Sequence, residues 1–148
     1  MHTLNPLRPA EILLVEDDEG DALLTEKALE MGEIPFHLQV VETGEEALEL
    51  IYGETKLRPD LILLDLNLPG VQGGEVLETL KTDLELRRIP IVILTSSRSE
   101  SDILASYERH ANTYMVKPGD PDIFERVART LGDYWFQVAL LPRGYLCP

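Results

Sequence analysis

The chain is poor in cysteine and has no long apolar run, and both shortages limit what it can be. Cys147 is the single cysteine, which excludes an intrachain disulfide. No apolar run approaches the roughly 20 residues that a helix needs to cross a bilayer. Residues 1–9 also lack the apolar stretch of a secretory signal. We therefore expect a cytoplasmic protein that has no membrane partner.

Basic residues are also scarce, and the net charge is −14. Residues 1–74 contain 16 acidic and 4 basic side chains, a net charge of −12, whereas residues 75–148 contain 11 and 9, a net charge of −2. An acidic surface repels a phosphate backbone, so we expect no nucleic-acid partner. The nearly neutral second half is the better surface for a protein partner, although acidic surfaces also serve solubility alone.

The hydrophobic pattern predicts one α/β domain. With 148 residues, 44% of them hydrophobic, the chain can form one sizeable core. Five short apolar runs alternate with segments of helical periodicity, as in a parallel sheet with crossover helices. The predicted architecture is a three-layer, doubly wound, five-stranded parallel sheet of order 2-1-3-4-5, which is flavodoxin-like. The predicted strands are residues 12–15, 36–41, 61–64, 91–94 and 113–116.

Capping signals place five helices between and after these strands. Thr43 is expected to cap the second helix in a capping box with Glu46. Asp120 followed by Pro121 is a strong start signal for the last helix. The other predicted helices cover residues 20–31, 74–82 and 100–110. The inner face predicted for the first helix consists of Ala22, Leu23, Ala28 and Leu29.

Polar side chains follow four of the five predicted strands, at the point where each strand ends. They are Glu16, Asp17, Asp18, Asp65, Thr95 and Lys117. Because the carboxyl ends of parallel strands meet at one edge of a sheet, we expect these groups to converge there. Each has an ordinary explanation when taken alone, since acids cap helices and hydroxyls and lysines are common in loops. Taken together, crowded carboxylates repel one another unless a cation neutralises them.

The chemistry of this set favours a metal ion and phosphoryl transfer. Acidic oxygens from two adjacent strands, without cysteine or histidine, suit Mg²⁺ better than Zn²⁺. A carboxylate and a phosphoryl group are both anionic, and Mg²⁺ between Asp65 and the phosphoryl oxygens would remove their repulsion. Lys117 would hold a second phosphoryl oxygen, and Thr95 would donate a hydrogen bond to a third.

The sequence resembles the receiver domains of two-component response regulators, the CheY-like family. The resemblance rests on four motifs in order, ILLVEDDEGD, LILLDLNLPG, IPIVILTSS and YMVKP, and spans roughly residues 10–131. It implies a switch that accepts a phosphoryl group from a sensor histidine kinase and is reset by hydrolysis. It does not imply an enzyme in the ordinary sense, because such a protein is its own substrate in each cycle.

The resemblance also implies a metal-binding set. Asp65 would be the phosphoacceptor, and Mg²⁺ would be held by Asp17, Asp65 and the backbone carbonyl of Asn67. Glu16 takes the companion acidic position and would act through water. Many receivers have Asp at that position, so Glu16 is a departure that would alter metal affinity.

A switch set is implied in the same way. Thr95 and Lys117 match the switch hydroxyl and the invariant lysine of the family. Tyr114 matches the aromatic residue that swings inward when the hydroxyl moves towards the phosphoryl group. The bond between Lys117 and Pro118 is typically cis in these proteins.

The last helix is expected to continue past Gly132 as DYWFQVALLP. This end is similar to that of the small response regulators paired with bacterial, cyanobacterial-type phytochrome kinases. We expect an N-terminal tail over residues 1–9, a receiver domain over 10–131, and an extension of the last helix with a tail over 132–148. The helical stripe predicted there is Ile123, Val127, Leu131, Trp135 and Val138. Its apolar surface would pack on its own domain or form a homodimer, which we prefer because so much apolar area rarely stays exposed. The interface predicted for the dimer comprises Tyr134, Trp135, Phe136, Val138 and Leu140.

Other functions stay open from the residues alone. A metal-dependent phosphohydrolase commonly has a D-x-D pair after the first strand, whereas here D-x-N at residues 65–67 follows the third. A flavin- or nucleotide-binding module needs a hydroxyl- and glycine-rich loop after the first strand, where this chain has four acids. A receiver-shaped scaffold that is never phosphorylated has no motif in its favour.

Overall fold

The structure is a computed structural model that describes residues 9–32 and 35–135. Its centre is a five-stranded parallel sheet with the order β2-β1-β3-β4-β5, which confirms the predicted fold class and strand order. The strands are β1 (Ala10–Val15), β2 (Phe36–Val41), β3 (Leu61–Leu64), β4 (Ile91–Thr95) and β5 (Thr113–Val116). The predicted strands are confirmed to within two residues at each end.

Five α-helices connect and follow the strands. They are α1 (Glu19–Glu30), α2 (Gly44–Tyr52), α3 (Gly73–Thr82), α4 (Glu100–Glu108) and α5 (Pro121–Asp133), with a short 3-10 turn at Leu86–Arg88. Thr43 caps α2 by accepting from the amide of Glu46. The reciprocal half of the predicted capping box differs, because the Glu46 carboxylate lies against the Thr43 hydroxyl instead of its amide. Asp120 caps α5 as predicted. No helix in the described part of the chain is long and apolar enough to span a membrane.

Alternate residues of the central strands pack into two layers of core, one on each face of the sheet. Leu13 and Ile62 belong to the layer that includes α2 and α3. Leu14 and Leu63 belong to the opposite layer, with Leu29 of α1 and Leu131 of α5. The strands buried in this way, β1, β3 and β4, are those with the most continuous apolar sequence. The sheet is therefore covered on both sides, as the three-layer prediction required.

One predicted helix face is partly wrong. Leu23, assigned to the inner face of α1, is 52% exposed, and the buried side of that helix includes Thr25 instead. Thr25 can be buried because its hydroxyl donates to the carbonyl of Asp21 one turn earlier. On α5, Ile123 of the predicted apolar stripe is 42% exposed, which leaves part of that stripe at the surface. The buried residues of α5 are Phe124, Ala128 and Leu131.

The C-terminal extension falls only partly within the described residues. Trp135 is half-buried and packs against the core layer that contains Leu29 and Leu131. Tyr134 is 52% exposed and contacts the Trp135 ring edge-on, with ring centroids 5.3 Å apart. Three residues of the predicted interface, Phe136, Val138 and Leu140, lie outside the described residues.

The sheet ladders continue for one residue beyond the ends of three strands. Main-chain bonds run from the amide of Glu16 to the carbonyl of Val41 (2.9 Å), from Asp65 to Val15 (3.1 Å) and from Lys117 to Thr95 (2.7 Å). These bonds fix the backbone of three predicted site residues to neighbouring strands. The carboxyl edge of the sheet therefore positions the site.

Candidate functional site

Three carboxylates meet at the carboxyl edge of the sheet. Glu16, Asp17 and Asp65 each place an oxygen within 4.8 Å of the others. Glu16 is 3% exposed and Asp65 is 6% exposed, whereas Asp17 is open to solvent. Buried acidic oxygens this close together suit a hard divalent cation that keeps part of its water shell on the open side. The structure thus brings together the acidic residues predicted to bind metal.

Lys117 lies beside this cluster and is bound by three carboxylates. Its Nζ lies 2.5 Å from Glu16 Oε1, 2.9 Å from Asp21 Oδ2 and 2.9 Å from Asp65 Oδ2. An ammonium group has three hydrogens, so this arrangement uses all of them. Lys117 and Glu16 are almost fully buried, which makes their interaction stronger than that of a surface ion pair.

The burial of these groups shifts their proton affinity. Burial raises the pKa of Glu16 to about 7, and the charge of Asp65 adds to that effect, while Lys117 opposes it. Burial alone would lower the pKa of Lys117, but hydrogen bonds to Glu16, Asp65 and Asp21 outweigh it and hold the pKa above its usual value. Lys117 therefore stays charged at any physiological pH.

The loop that follows β3 fixes the Asp65 side chain. Its Oδ1 accepts from the amide of Asn67 at 3.1 Å, and its Oδ2 accepts from Lys117. Gly73, the first residue of α3, packs directly on the Asp65 carbonyl and donates its amide to Leu66 at 3.0 Å. A Cβ at this position would lie far inside van der Waals contact with that carbonyl oxygen. Only glycine fits there, so α3 supports the backbone under Asp65.

The predicted switch residues lie on the neighbouring strands. Thr95 ends β4 and is fully buried. Tyr114 on β5 is half-buried, and its hydroxyl donates to the carbonyl of Ser97 at 3.0 Å. Its amide donates to the hydroxyl of Tyr107 on α4 at 3.1 Å. The Lys117–Pro118 bond is trans in this structure, unlike the bond typical of receivers.

Asp21 and Gly73 are site residues that the sequence reasoning missed. Asp21 lies in the first turn of α1, and its contact with Lys117 depends on the rotation of that helix, which the spacing of the acidic residues does not reveal. Gly73 carried no signal, because its role depends on how closely α3 approaches the loop after β3.

A parallel five-stranded sheet of order β2-β1-β3-β4-β5, with clustered carboxylates and a buried lysine at its carboxyl edge, is the architecture of a receiver domain. The chain belongs to the response regulator receiver domain family, which it matches over residues 12–129. That span lies within the receiver unit predicted for residues 10–131, although the tails on either side stay a prediction.

Similar proteins include response regulators linked to phytochromes. The chain is 40% identical over 139 residues to the response regulator Rcp1 of Synechocystis, covering 90% of this chain and 94% of Rcp1. A crystal structure of a phosphorylated cyanobacterial phytochrome response regulator, RcpA, has a TM-score of 0.88 at 39% identity, over 91% of this chain and 99% of RcpA. The Mn²⁺-bound form of Rcp1 has a TM-score of 0.87 at 38% identity, over 90% of this chain and 99% of that one.

Family membership gives the class of function. The protein is a response regulator of a two-component phosphorelay and not a classical enzyme. A receiver domain implies a sensor kinase as partner, and receiver domains bind a divalent metal ion, for which an acidic cluster is present here. The phosphohydrolase and scaffold alternatives are not favoured by these findings.

Proposed function

We propose that the protein accepts one phosphoryl group from a sensor histidine kinase onto Asp65 with Mg²⁺, and that it signals through a change of conformation and interface. The observation that carries the proposal is the position of Asp65, a buried carboxylate 2.9 Å from Lys117 and within 4.8 Å of two further acids. Lys117 gives this carboxylate a neighbouring cation that can bind an incoming phosphoryl group, and the two acids provide ligands for a metal ion.

Each residue has a defined part in the transfer. An oxygen of Asp65 attacks the phosphorus, the new oxygen–phosphorus bond forms, and the phosphorus–nitrogen bond of the donor phosphohistidine breaks with the imidazole as leaving group. Lys117 holds a phosphoryl oxygen with its ammonium group, and Thr95 donates a hydrogen bond to another. Tyr114 responds to the movement of Thr95, which shifts the population between two conformations.

The test exposes the purified protein to a small phosphodonor with Mg²⁺ and weighs it intact. We expect the mass to increase by one phosphoryl group in the wild type and not at all in Asp65→Asn, which is the same size but lacks the nucleophilic carboxylate. Chelation of the divalent metal should abolish the gain as well.

Asp60→Asn is the matched control, because Asp60 is also a buried aspartate next to β3 but lies at the opposite edge of the sheet, where it accepts from the amide of Glu11. It should keep the gain in mass. Unchanged mass in the wild type at every donor concentration would disprove the proposed function.

The residues present fit Mg²⁺. Asp17, Asp65 and the carbonyl of Asn67 would hold the ion, with Glu16 acting through water, and the bound ion would supply positive charge opposite the phosphoryl oxygens. Oxygen donors without sulfur or imidazole are the type that Mg²⁺ prefers.

Metal affinity should depend on pH through Glu16. Its pKa is raised to about 7, so the proton that neutralises the cluster is held below that pH and lost above it. We expect the affinity for Mg²⁺ to increase between pH 6 and pH 8, by up to about tenfold if one proton is displaced. Isothermal titration calorimetry at both pH values measures this change. Glu16→Gln should bind with an affinity that is nearly constant over the range, and an equal pH dependence in that variant would contradict the assignment.

We further propose that the donor is a phytochrome kinase and that the protein forms a homodimer partly through the C-terminal extension. The similarity to phytochrome-linked response regulators supports the donor. Exposed apolar residues on the outer side of α5, Ile123 and Tyr134, support an interface there. Trp135 packs on its own domain and so offers only part of its ring surface to such an interface.

The dimer is tested by light scattering of a chain that ends at Trp135. This cut keeps the Trp135 packing and removes the last 13 residues of the chain. We expect the mass in solution to fall from that of a dimer to that of a monomer at micromolar concentration. A full-length protein that is already a monomer, or a shortened one that stays a dimer, would remove the tail from the interface.

A further inference from the structure

Four hydrogen bonds converge on Ser97, two residues after Thr95. Its amide donates to Thr95 Oγ1 at 3.4 Å, and its carbonyl accepts from the Tyr114 hydroxyl at 3.0 Å. Its own hydroxyl donates to Asp102 Oδ2 at 2.6 Å and accepts from the amide of Ser99 at 3.3 Å. One residue of the loop after β4 therefore connects both proposed switch residues to the first turn of α4.

The bond to Asp102 is the shortest of the four. A distance of 2.6 Å is typical of a hydroxyl that donates to an ionised carboxylate, which is about twice as strong as a bond between neutral groups. Asp102 is half-buried, and Ser99 caps its amide at 3.3 Å, so its position is set by the start of α4. The Ser97 hydroxyl is thus held towards α4 and is not free to bind elsewhere.

We propose that Asp102 is a positioning residue that sets the lifetime of the phosphoryl group on Asp65 by holding the Ser97 hydroxyl. The inference rests on the proposed function. Ser97 follows β4, the neighbour of the strand that ends at Asp65, so its loop borders the same edge of the sheet. The Ser97 amide lies 3.4 Å from Thr95 Oγ1, the atom proposed to bind a phosphoryl oxygen, so a Ser97 hydroxyl released from Asp102 would be placed to orient a water molecule beside the phosphoryl group.

Hydrolysis needs such a water. The water oxygen forms a bond to phosphorus, the bond between phosphorus and the Asp65 oxygen breaks, and the products are inorganic phosphate and the free carboxylate, with one proton released to solvent. While Asp102 accepts the Ser97 hydroxyl hydrogen, that hydroxyl is unavailable to orient the water. Loss of Asp102 frees the hydroxyl to do so.

The experiment measures loss of the phosphoryl group after donor removal, by intact mass, in the wild type and in four variants. We expect Asp102→Ala to shorten the lifetime on the order of fivefold, and Asp102→Ala combined with Ser97→Ala to match Ser97→Ala alone, because the effect acts through that hydroxyl. Glu100→Ala removes another acid from the same turn of α4 and should leave the lifetime unchanged.

A second measurement does not depend on phosphorylation. Hydrogen exchange of the Ser97 and Ser99 amides in the unphosphorylated protein should become faster in Asp102→Ala and stay unchanged in Glu100→Ala. If the wild type gains no phosphoryl group, the proposed function fails while the exchange result still judges the contact. Two results would overturn the inference. One is a wild-type lifetime in phosphorylated Asp102→Ala. The other is that Asp102→Ala shortens the lifetime by the same factor in the Ser97→Ala background as in the wild type.

Discussion

Lys117→Met should lower the free energy of unfolding by about 3–5 kcal/mol at pH 8 in metal-free buffer, because it leaves buried carboxylates without their cation. The loss should be smaller at pH 6. A carboxylate whose folded pKa is raised is stabilising when protonated, and this contribution is lost as the pH rises through that pKa. Glu16 has a pKa of about 7 even with Lys117 present, and removal of the ammonium raises it further. Urea denaturation at the two pH values measures both effects.

Lys81→Met is the matched control. Lys81 is as buried as Lys117, but within residues 9–32 and 35–135 its Nζ donates only to neutral oxygens, those of Arg87, Ile89 and Asn112. Burial lowers the pKa of Lys81 to about 8, so it stays mainly charged between pH 6 and pH 7. Its replacement should cost less, about 1–3 kcal/mol, and the loss should be constant between pH 6 and pH 7, a range over which the loss in Lys117→Met should already increase. Urea denaturation of both variants at pH 6 and pH 7 makes this comparison. Equal pH dependence in the two variants would contradict the conclusion that Lys117 stabilises the fold by neutralising the buried carboxylates around it.

Gly73→Ala should cost on the order of 3 kcal/mol of stability, a large effect for one methyl group. The added Cβ would overlap the carbonyl of Asp65 and the Cα of Leu66, which are both backbone and cannot rotate away. The start of α3 or the loop after β3 must therefore move. Urea denaturation measures the loss, and the rate of phosphorylation of the folded fraction should decrease because Asp65 is displaced.

The adjacent residue gives an internal comparison. A Cβ at Gly74 would meet only the end of the Arg109 side chain, which is exposed and can move. Gly74→Ala should therefore be neutral or stabilise the protein by up to about 1 kcal/mol, since alanine is the better helix former. A loss at Gly74 as large as the loss at Gly73 would show that α3 tolerates no side chain there for some other reason.

The sequence predicted the sheet well because its strands carry a strong pattern. Runs such as residues 61–64 are apolar at every position and so identify central strands. The mixed sequence of β2 agrees with its position at the edge of the sheet, where half of its residues are exposed. The side of each helix that faces the core was harder to predict. Leu23 and Ile123 are apolar but exposed, since periodicity alone cannot tell an inner face from an outer apolar patch.

Site residues that stand at the ends of strands were predicted from the sequence, whereas those brought to the site by helix packing were missed. Glu16, Asp65 and Lys117 follow strands directly, so topology alone brings them together. The contact of Asp21 with Lys117 depends on the rotation of α1, and the fit of Gly73 depends on the distance between two segments. Neither quantity is written in a local pattern of residues.

The main-chain bonds that extend the ladders to Glu16, Asp65 and Lys117 have a consequence for the working cycle. Bringing like charges together and ordering their backbone costs conformational entropy and electrostatic work. In this protein the free energy of folding offsets that cost, so the site is already ordered when the chain is folded. Each later round of signalling starts from a preorganised frame. A receiver built in this way can be phosphorylated and dephosphorylated repeatedly without reordering the backbone of its site.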